Sequence, residues 1–584
     1  MTPGNNTTAA SGLLQRLSTG VGRSRLATLI IVMLLAILAY GRIRLIRDVV
    51  WDDNGWLLSV YASGDLWQFL NTGFVEARRI PLGVFTYGFL GLHRDTAYFY
   101  LVWDALNLLT IAATPLLLYL TLRELFPDKQ RLALLATLAF IVFPLDYTLP
   151  YASGINYRLG LLSGLASLYL TTVSVAPERV RPVRLGAALA AAAISYYVFL
   201  EAAVAFEPAR LYLIARRRHD PAASRRVWTR RTLTVAAWFA LACAPLIVYK
   251  LAYKTYGIYA GIYGLDPAFL LRFWDIAKAA GHFVFSDWFI LARHFDAASG
   301  ATYLAGALGA GVAFVLLRRL ATASPLREPE ETRRGREMAH FLALALLLAL
   351  PPALLFHAFN RPISWGMNST HAVLSQAGYA MLLGAVLCAG LNRVRQLHRP
   401  WLTAAMALWI GTGIFFSNLN TDQYRKSWVQ QDRFWRAFVE RFPALPERAT
   451  FFFDVQDGAL YSDLVNYYDF EFQLNLLYAT SAEPAAFRRY KAYTAAELME
   501  PRGRTPEELL SADTIERLTH LGPDRLQPAE FIVVRYRNGK LLVNREITRA
   551  DPGVSYGAWA DKSVPIASSS PASYPLRGKL EFAY

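Results

Sequence analysis

Eleven long apolar runs dominate the first 416 positions: Leu26–Ile46, Tyr98–Leu122, Leu132–Phe143, Leu159–Val175, Leu185–Phe199, Leu200–Ile214, Leu233–Tyr249, Tyr303–Leu317, Phe341–Phe356, Ala372–Leu391 and Leu402–Phe416. A soluble chain gathers its apolar residues into cores of roughly 100–200 residues with polar stretches between them. Runs this long and this frequent fit the hydrocarbon core of a bilayer, which takes about 20 residues of helix to cross. Composition agrees: 54% of residues are hydrophobic and only 18% charged, against about 25% in soluble proteins. The expected fold class is therefore a polytopic α-helical membrane protein with about eleven to thirteen spans.

The net charge of +16 does not point to nucleic acid, because the arginines fall in short clusters between apolar runs. The clusters Arg123–Arg131, Arg179–Arg184, Arg216–Arg231, Arg318–Arg336 and Arg393–Arg399 mark cytoplasmic loops, on the same side as an N-terminal segment, 1–25. The first run lacks a small-residue cleavage site and reads as a retained span. For the second and third clusters to share a side, residues 185–214 must go out and come back as two short helices turning near Tyr196–Glu201. Ile80–Leu92 is apolar but short and reads as interfacial or re-entrant. Within a membrane unit, 26–417, the loops 47–97, 144–158, 250–299 and 358–370 then face outward, together with everything after Ser417. Cys243 and Cys388 each lie inside an apolar run, which excludes a disulfide framework.

Beyond Asn418 the pattern changes to that of an α/β domain, 418–584, on the extracytoplasmic side. Phe451-Phe452-Phe453 reads as a strand, and Asn538-Gly539 between Phe531–Val534 and Leu541–Val543 is a hairpin signal. Thr505-Pro506-Glu507-Glu508 has the form of a helix start, with Leu509, Ala512, Ile515 and Leu518 continuing at helical spacing. No internal repeat, P-loop, Rossmann glycine fingerprint or HExxH motif occurs.

Chemistry is expected in the outward loops. Trp51-Asp52-Asp53-Asn54-Gly55-Trp56 follows the first span directly, and a carboxylate there can act as a general base. The pair can equally hold a divalent cation through oxygen ligands, shared with Asp146 only if the fold brings two loops together. The bland alternative is a solvated turn in an aromatic interfacial belt. Arg78, Arg79, Arg158 and Arg361 are outward arginines suited to a phosphate head, although arginines near span ends often only snorkel to the interface. Asp104, Asn107 and Glu201 are polar within apolar runs, where a charge costs roughly 2.5–3.5 kcal/mol, so they should face the bundle interior or a wet cavity. Lys254, in the aromatic stretch 249–263, and His371 complete the candidate cavity lining beside Asp146 and Glu201.

An acidic pair in the first outer loop resembles the GT-C superfamily of polytopic glycosyltransferases, which use polyprenyl-phosphate-linked sugar donors. Arg78-Arg79-Ile80-Pro81-Leu82 is similar to a basic-proline-leucine stretch of bacterial members, with one proline where a pair is frequent. Pro144 with Asp146, and Arg158 after it, is similar to a Pro-x-Asp second outer loop. The resemblance implies an enzyme of the bacterial inner membrane with no nucleotide requirement on the outer face. It would move a sugar from a polyprenyl phosphate to a glycan, lipid or protein acceptor, with Asp52 or Asp53 as base and inversion at the anomeric carbon. Two rivals stay open. One is a glycan polymerase or ligase working without a first-loop base; the other is a non-catalytic glycolipid transporter whose intramembrane polar groups mark a path.

Overall fold

The computed structural model describes residues 20–45, most of 52–252, scattered residues in 253–287, and most of 288–455. Beyond that it describes 467–478, 490–494, 515–519, 522–526, 531–537 and 540–544. Among the described residues seven helices are long and apolar enough to cross a membrane, and a polytopic helical architecture is the result. They are α1 (Gly20–Tyr40), α5 (Phe99–Leu125), α8 (Pro182–Ala193) with its continuation to Phe199, α11 (Gly300–Thr322), α12 (Glu331–Ala358), α13 (Gln376–Arg393) with the turn before it, and α14 (Arg399–Arg441).

The count is below eleven for physical reasons. Helix α6 (Gln130–Val142) is apolar but has only 13 residues, about 20 Å at 1.5 Å each. Helix α7 (Ile155–Ser174) carries Asn156, Arg158 and a ladder of serines and threonines. Helix α9 (Glu207–Arg216) follows a 3-10 segment, Glu201–Phe206, and α10 (Arg225–Ala252) is apolar only over Thr232–Leu246. On α11, Leu304, Leu308, Val312 and Val315 form an exposed apolar stripe, the side a bilayer would cover. Between the spans lie α2 (Asp52–Ala62), α3 (Leu66–Asn71) and α4 (Ile80–Asp95). With 16 residues, α4 is about 24 Å long, short of the roughly 30 Å hydrocarbon core.

The expected out-and-back hairpin is visible in the contacts. Ser167 of α7 donates to the Ala188 carbonyl, and Ser195 donates to the Gly160 carbonyl at the other end of α7. The π-helical segment Ile194–Phe199 ends at Leu200 in an extended conformation, and the chain retraces α7 until Arg210 reaches Thr171 at 2.7 Å. Buried charge inside this hairpin is fully paired. Arg210 donates to both carboxylate oxygens of Glu207 at 2.8 and 3.0 Å, Tyr196 donates to the same carboxylate, and the guanidinium lies 3.9 Å above the Phe239 ring.

Helix α14 has 43 residues, about 64 Å, and runs through Ser417 and Asn418 without a break. Its lower part packs in the bundle. Its far end presents Phe434, Trp435, Phe438 and Phe442 on one face to a sheet. That sheet has the order β2-β1-β5-β6, from β1 (Thr450–Val455), β2 (Lys491–Thr494), β5 (Phe531–Arg537) and β6 (Lys540–Asn544). Strand β1 is parallel to β2 and β5, and β5 and β6 are antiparallel with Arg537 opposite Lys540, leaving a two-residue connection as the Asn-Gly signal requires. Alternation puts Phe451 and Phe453 against α14, while Phe452 stacks with Phe531 at 6.1 Å on the opposite face. Helix α15 (Tyr467–Leu477) connects β1 to β2.

The helix expected to run from 505 through Leu518 is corrected where the structure describes it. Ile515–Thr519 is strand β3, antiparallel to β4 (Gly522–Leu526), and residues 505–514 lie outside the described residues. Gly522-Pro523 stops helix propagation, and a hairpin supplies hydrogen-bond partners for the short run instead.

One polar cluster ties α14 to the first span. Asp422, 4% exposed, accepts from Arg42 at 2.6 and 3.4 Å, from the Ser299 amide and hydroxyl at 2.9 and 2.8 Å, and from Thr302. Nearby, Asn418 donates to the Leu38 and Ala39 carbonyls at the end of α1. Asp422→Asn removes the only charge in this set that matches Arg42, and breaking a buried pair from one side is expensive. It is expected to cost about 3 kcal/mol, measured as a fall in the unfolding free energy of the purified protein in detergent.

Candidate functional site

The loop that follows α1 is built on aromatic packing. Helix α2 buries Leu57, Leu58 and Val60, and Trp56 packs on Phe74 with ring centroids 4.6 Å apart. Helix α3 starts at Asp65, whose side chain accepts the Gln68 amide at 2.9 Å. Asp52 and Asp53 are the first two residues of α2, a position where the helix dipole favours negative charge; their side chains lie outside the described residues.

The chain then turns through 73–79, with Arg79 N–H donating to the Phe74 carbonyl at 2.8 Å. Arg78 has a φ of 58°, in the left-handed region that side chains other than glycine enter at a cost of roughly 1–2 kcal/mol. That turn directs Arg79 to Glu201 at the tip of the hairpin. Nε lies 3.3 and 3.1 Å from the two carboxylate oxygens and Nη2 lies 2.9 Å from one of them. Each side chain is about one-fifth exposed. The forked edge of Arg79 that would grip a phosphate is thus already occupied by a carboxylate.

The first turn of α7 organises the other candidates. Asn156 donates to the Phe199 carbonyl at 3.3 Å, which fixes the hairpin tip two residues before Glu201. Tyr157 packs on His371 at 6.5 Å, and His371 stacks on Phe356 at 4.8 Å, so this histidine is buried among rings. Arg158 is buried rather than facing outward, and donates to the Thr148 and Tyr151 carbonyls at 3.4 and 3.2 Å. Arg158 also lines a cavity of about 50 Å³, together with Tyr40, Thr110, Phe140, Leu161 and Gln376.

Arg79, Glu201, Arg158 and His371 are therefore gathered at one end of the bundle, around the start of α7. Helix α4 links them to α2, with Phe85 edge-on to Phe199 at 5.1 Å. Asp146, Lys254 and Arg361 lie outside the described residues. Asn107 is buried at 1% exposure, facing the bundle interior as expected. Among the described residues no three His, Cys, Asp or Glu side chains cluster closely enough to hold a metal ion, and Cys243 and Cys388 are buried thiols. Sequence reasoning missed Arg42 with Asp422, and Glu207 with Arg210. The available signal was a carboxylate and an arginine three residues apart, Glu207 and Arg210, within an apolar run. Comparison of the chain with protein-family models, with curated proteins and with solved structures gave no match.

Two measurements check this geometry. A double-mutant cycle over Arg79→Gln and Glu201→Gln is expected to return a coupling of about 1 kcal/mol, the scale of a partly exposed pair. Arg78→Gly and Arg78→Ala both delete the side chain, and the glycine variant is expected to be more stable by about 1 kcal/mol because only the left-handed backbone distinguishes them.

Proposed function

We propose that the chain is a membrane glycosyltransferase that moves a sugar from a polyprenyl-phosphate donor to an acceptor at the outer face of a bacterial inner membrane. The observation that carries the reading is positional. An acidic pair opens α2 at the same end of the bundle where Arg79, Glu201, Arg158 and His371 are gathered. The elements after α14, in this reading, form an extracytoplasmic α/β domain over that end.

The acceptor hydroxyl attacks the anomeric carbon while Asp52 or Asp53 takes its proton. The new glycosidic C–O bond forms as the bond from that carbon to the phosphate oxygen breaks, and the electron pair leaves with polyprenyl phosphate, so the anomeric centre inverts. Arginine charge stabilises the departing phosphate. Since Arg79 is engaged by Glu201, a phosphate reaching that edge competes with the carboxylate. Arg361 or Arg78 then supplies the remaining donors. Apolar grooves between spans hold the polyprenyl tail, which is why the activity requires a membrane protein.

Asp52→Asn, Asp53→Asn and the double variant, reconstituted in lipid nanodiscs with a panel of polyprenyl-phosphate sugars, test the assignment. Loss of the base is expected to lower kcat by about 10²- to 10⁴-fold with little change in donor KM. A double variant turning over at the wild-type rate would overturn the base assignment and favour a ligase that needs none.

A further inference from the structure

Helix α15 has two buried faces. Phe470, Leu474 and Leu477 join the cluster formed by the sheet and the far end of α14, whereas Phe472 and Leu476 belong to the cluster of α2 and the aromatic loop after it. Approach to α2 is close: a Cβ on Gly55 would lie 2.7 Å from Phe472 Cε2 and 3.1 Å from Cδ2. A side chain at position 55 would push against the ring where it rests on that turn, and the turn is the one that Asp52 and Asp53 open.

On its other side α15 is fixed independently of α2. Asn475 donates to the Tyr490 carbonyl and accepts the Tyr490 amide, at 2.8 and 2.9 Å, and Glu471 accepts the Ala492 amide of β2 at 3.4 Å. The sheet therefore sets where Phe472 stands. Helix α2 has 11 residues, below the length at which an isolated helix is stable in water, so its first turn depends on what packs against it.

We infer that Phe472 is a positioning residue: through α15, the C-terminal sheet fixes the acidic first turn of α2, so the sheet is part of the reaction site's framework and not a separate appendage. The consequence for turnover rests on the transferase reading above; the mechanical link does not.

Amide hydrogen exchange on the full chain in nanodiscs separates the two. Phe472→Ala is expected to speed exchange over residues 54–60 by about tenfold while peptides of α12 and α13 keep their wild-type protection. Phe472→Leu, milder and less disruptive to folding, should do the same to a smaller degree. Gly55→Val should act like Phe472→Ala, and combining the two should cost less than their sum, because the valine then has room. With donor present, kcat should fall about tenfold in Phe472→Ala with KM for the donor within about twofold, as misplacement of a reacting group requires. Unchanged exchange over 54–60 overturns the inference, as does faster exchange with wild-type kcat. Faster exchange in a protein whose wild type turns over no polyprenyl-phosphate sugar supports the link and counts against the transferase reading.

Discussion

A single buried carboxylate joins the last long helix to the end of the first span. Asp422 sits where α14 passes the end of the first span, and it accepts hydrogen bonds from Arg42, Ser299 and Thr302 at once. A buried carboxylate is tolerable only when its lone pairs are filled, and here donors from two distant parts of the chain, Arg42 and the Ser299–Thr302 turn, fill them. Because α14 is one unbroken helix, fixing it at Asp422 also fixes its aromatic end against the sheet. Helix α15 packs on that sheet, and α2 packs on α15 through Phe472 as well as on the aromatic loop that follows it.

Buried charge elsewhere in the bundle is handled in the same way but for a different end. Glu207, Arg210, Tyr196 and Thr171 satisfy one another, with the guanidinium also resting on Phe239. This network staples the returning leg of the hairpin to α7, which places Glu201 at the tip. The Arg79–Glu201 pair is less buried and lies at the rim, where two loops meet. The former is the more deeply buried of the two, and the latter is partly open to solvent.

The start of α7 connects these features. Its three successive residues Asn156, Tyr157 and Arg158 reach the hairpin tip, the His371 ring and the second loop's carbonyls respectively. Successive side chains on a helix point about 100° apart, so one turn can serve three neighbours. The cavity beside Arg158 is lined mostly by apolar side chains.

Membrane class, the hairpin at 185–214, strand β1 and the β5–β6 hairpin were all legible in the order of residues. Each depends on local length, charge or turn chemistry, and those properties survive in any surroundings. Folding, by contrast, set that α14 continues past Ser417, that 515–519 is strand, and that Arg158 turns inward. It also decided that Arg42 meets Asp422 across 380 positions and that Gly55 lies under Phe472. The physical reason is that helix length and strand pairing depend on which neighbours are available for burial and hydrogen bonding. Sequence spacing carries no record of neighbours hundreds of residues away.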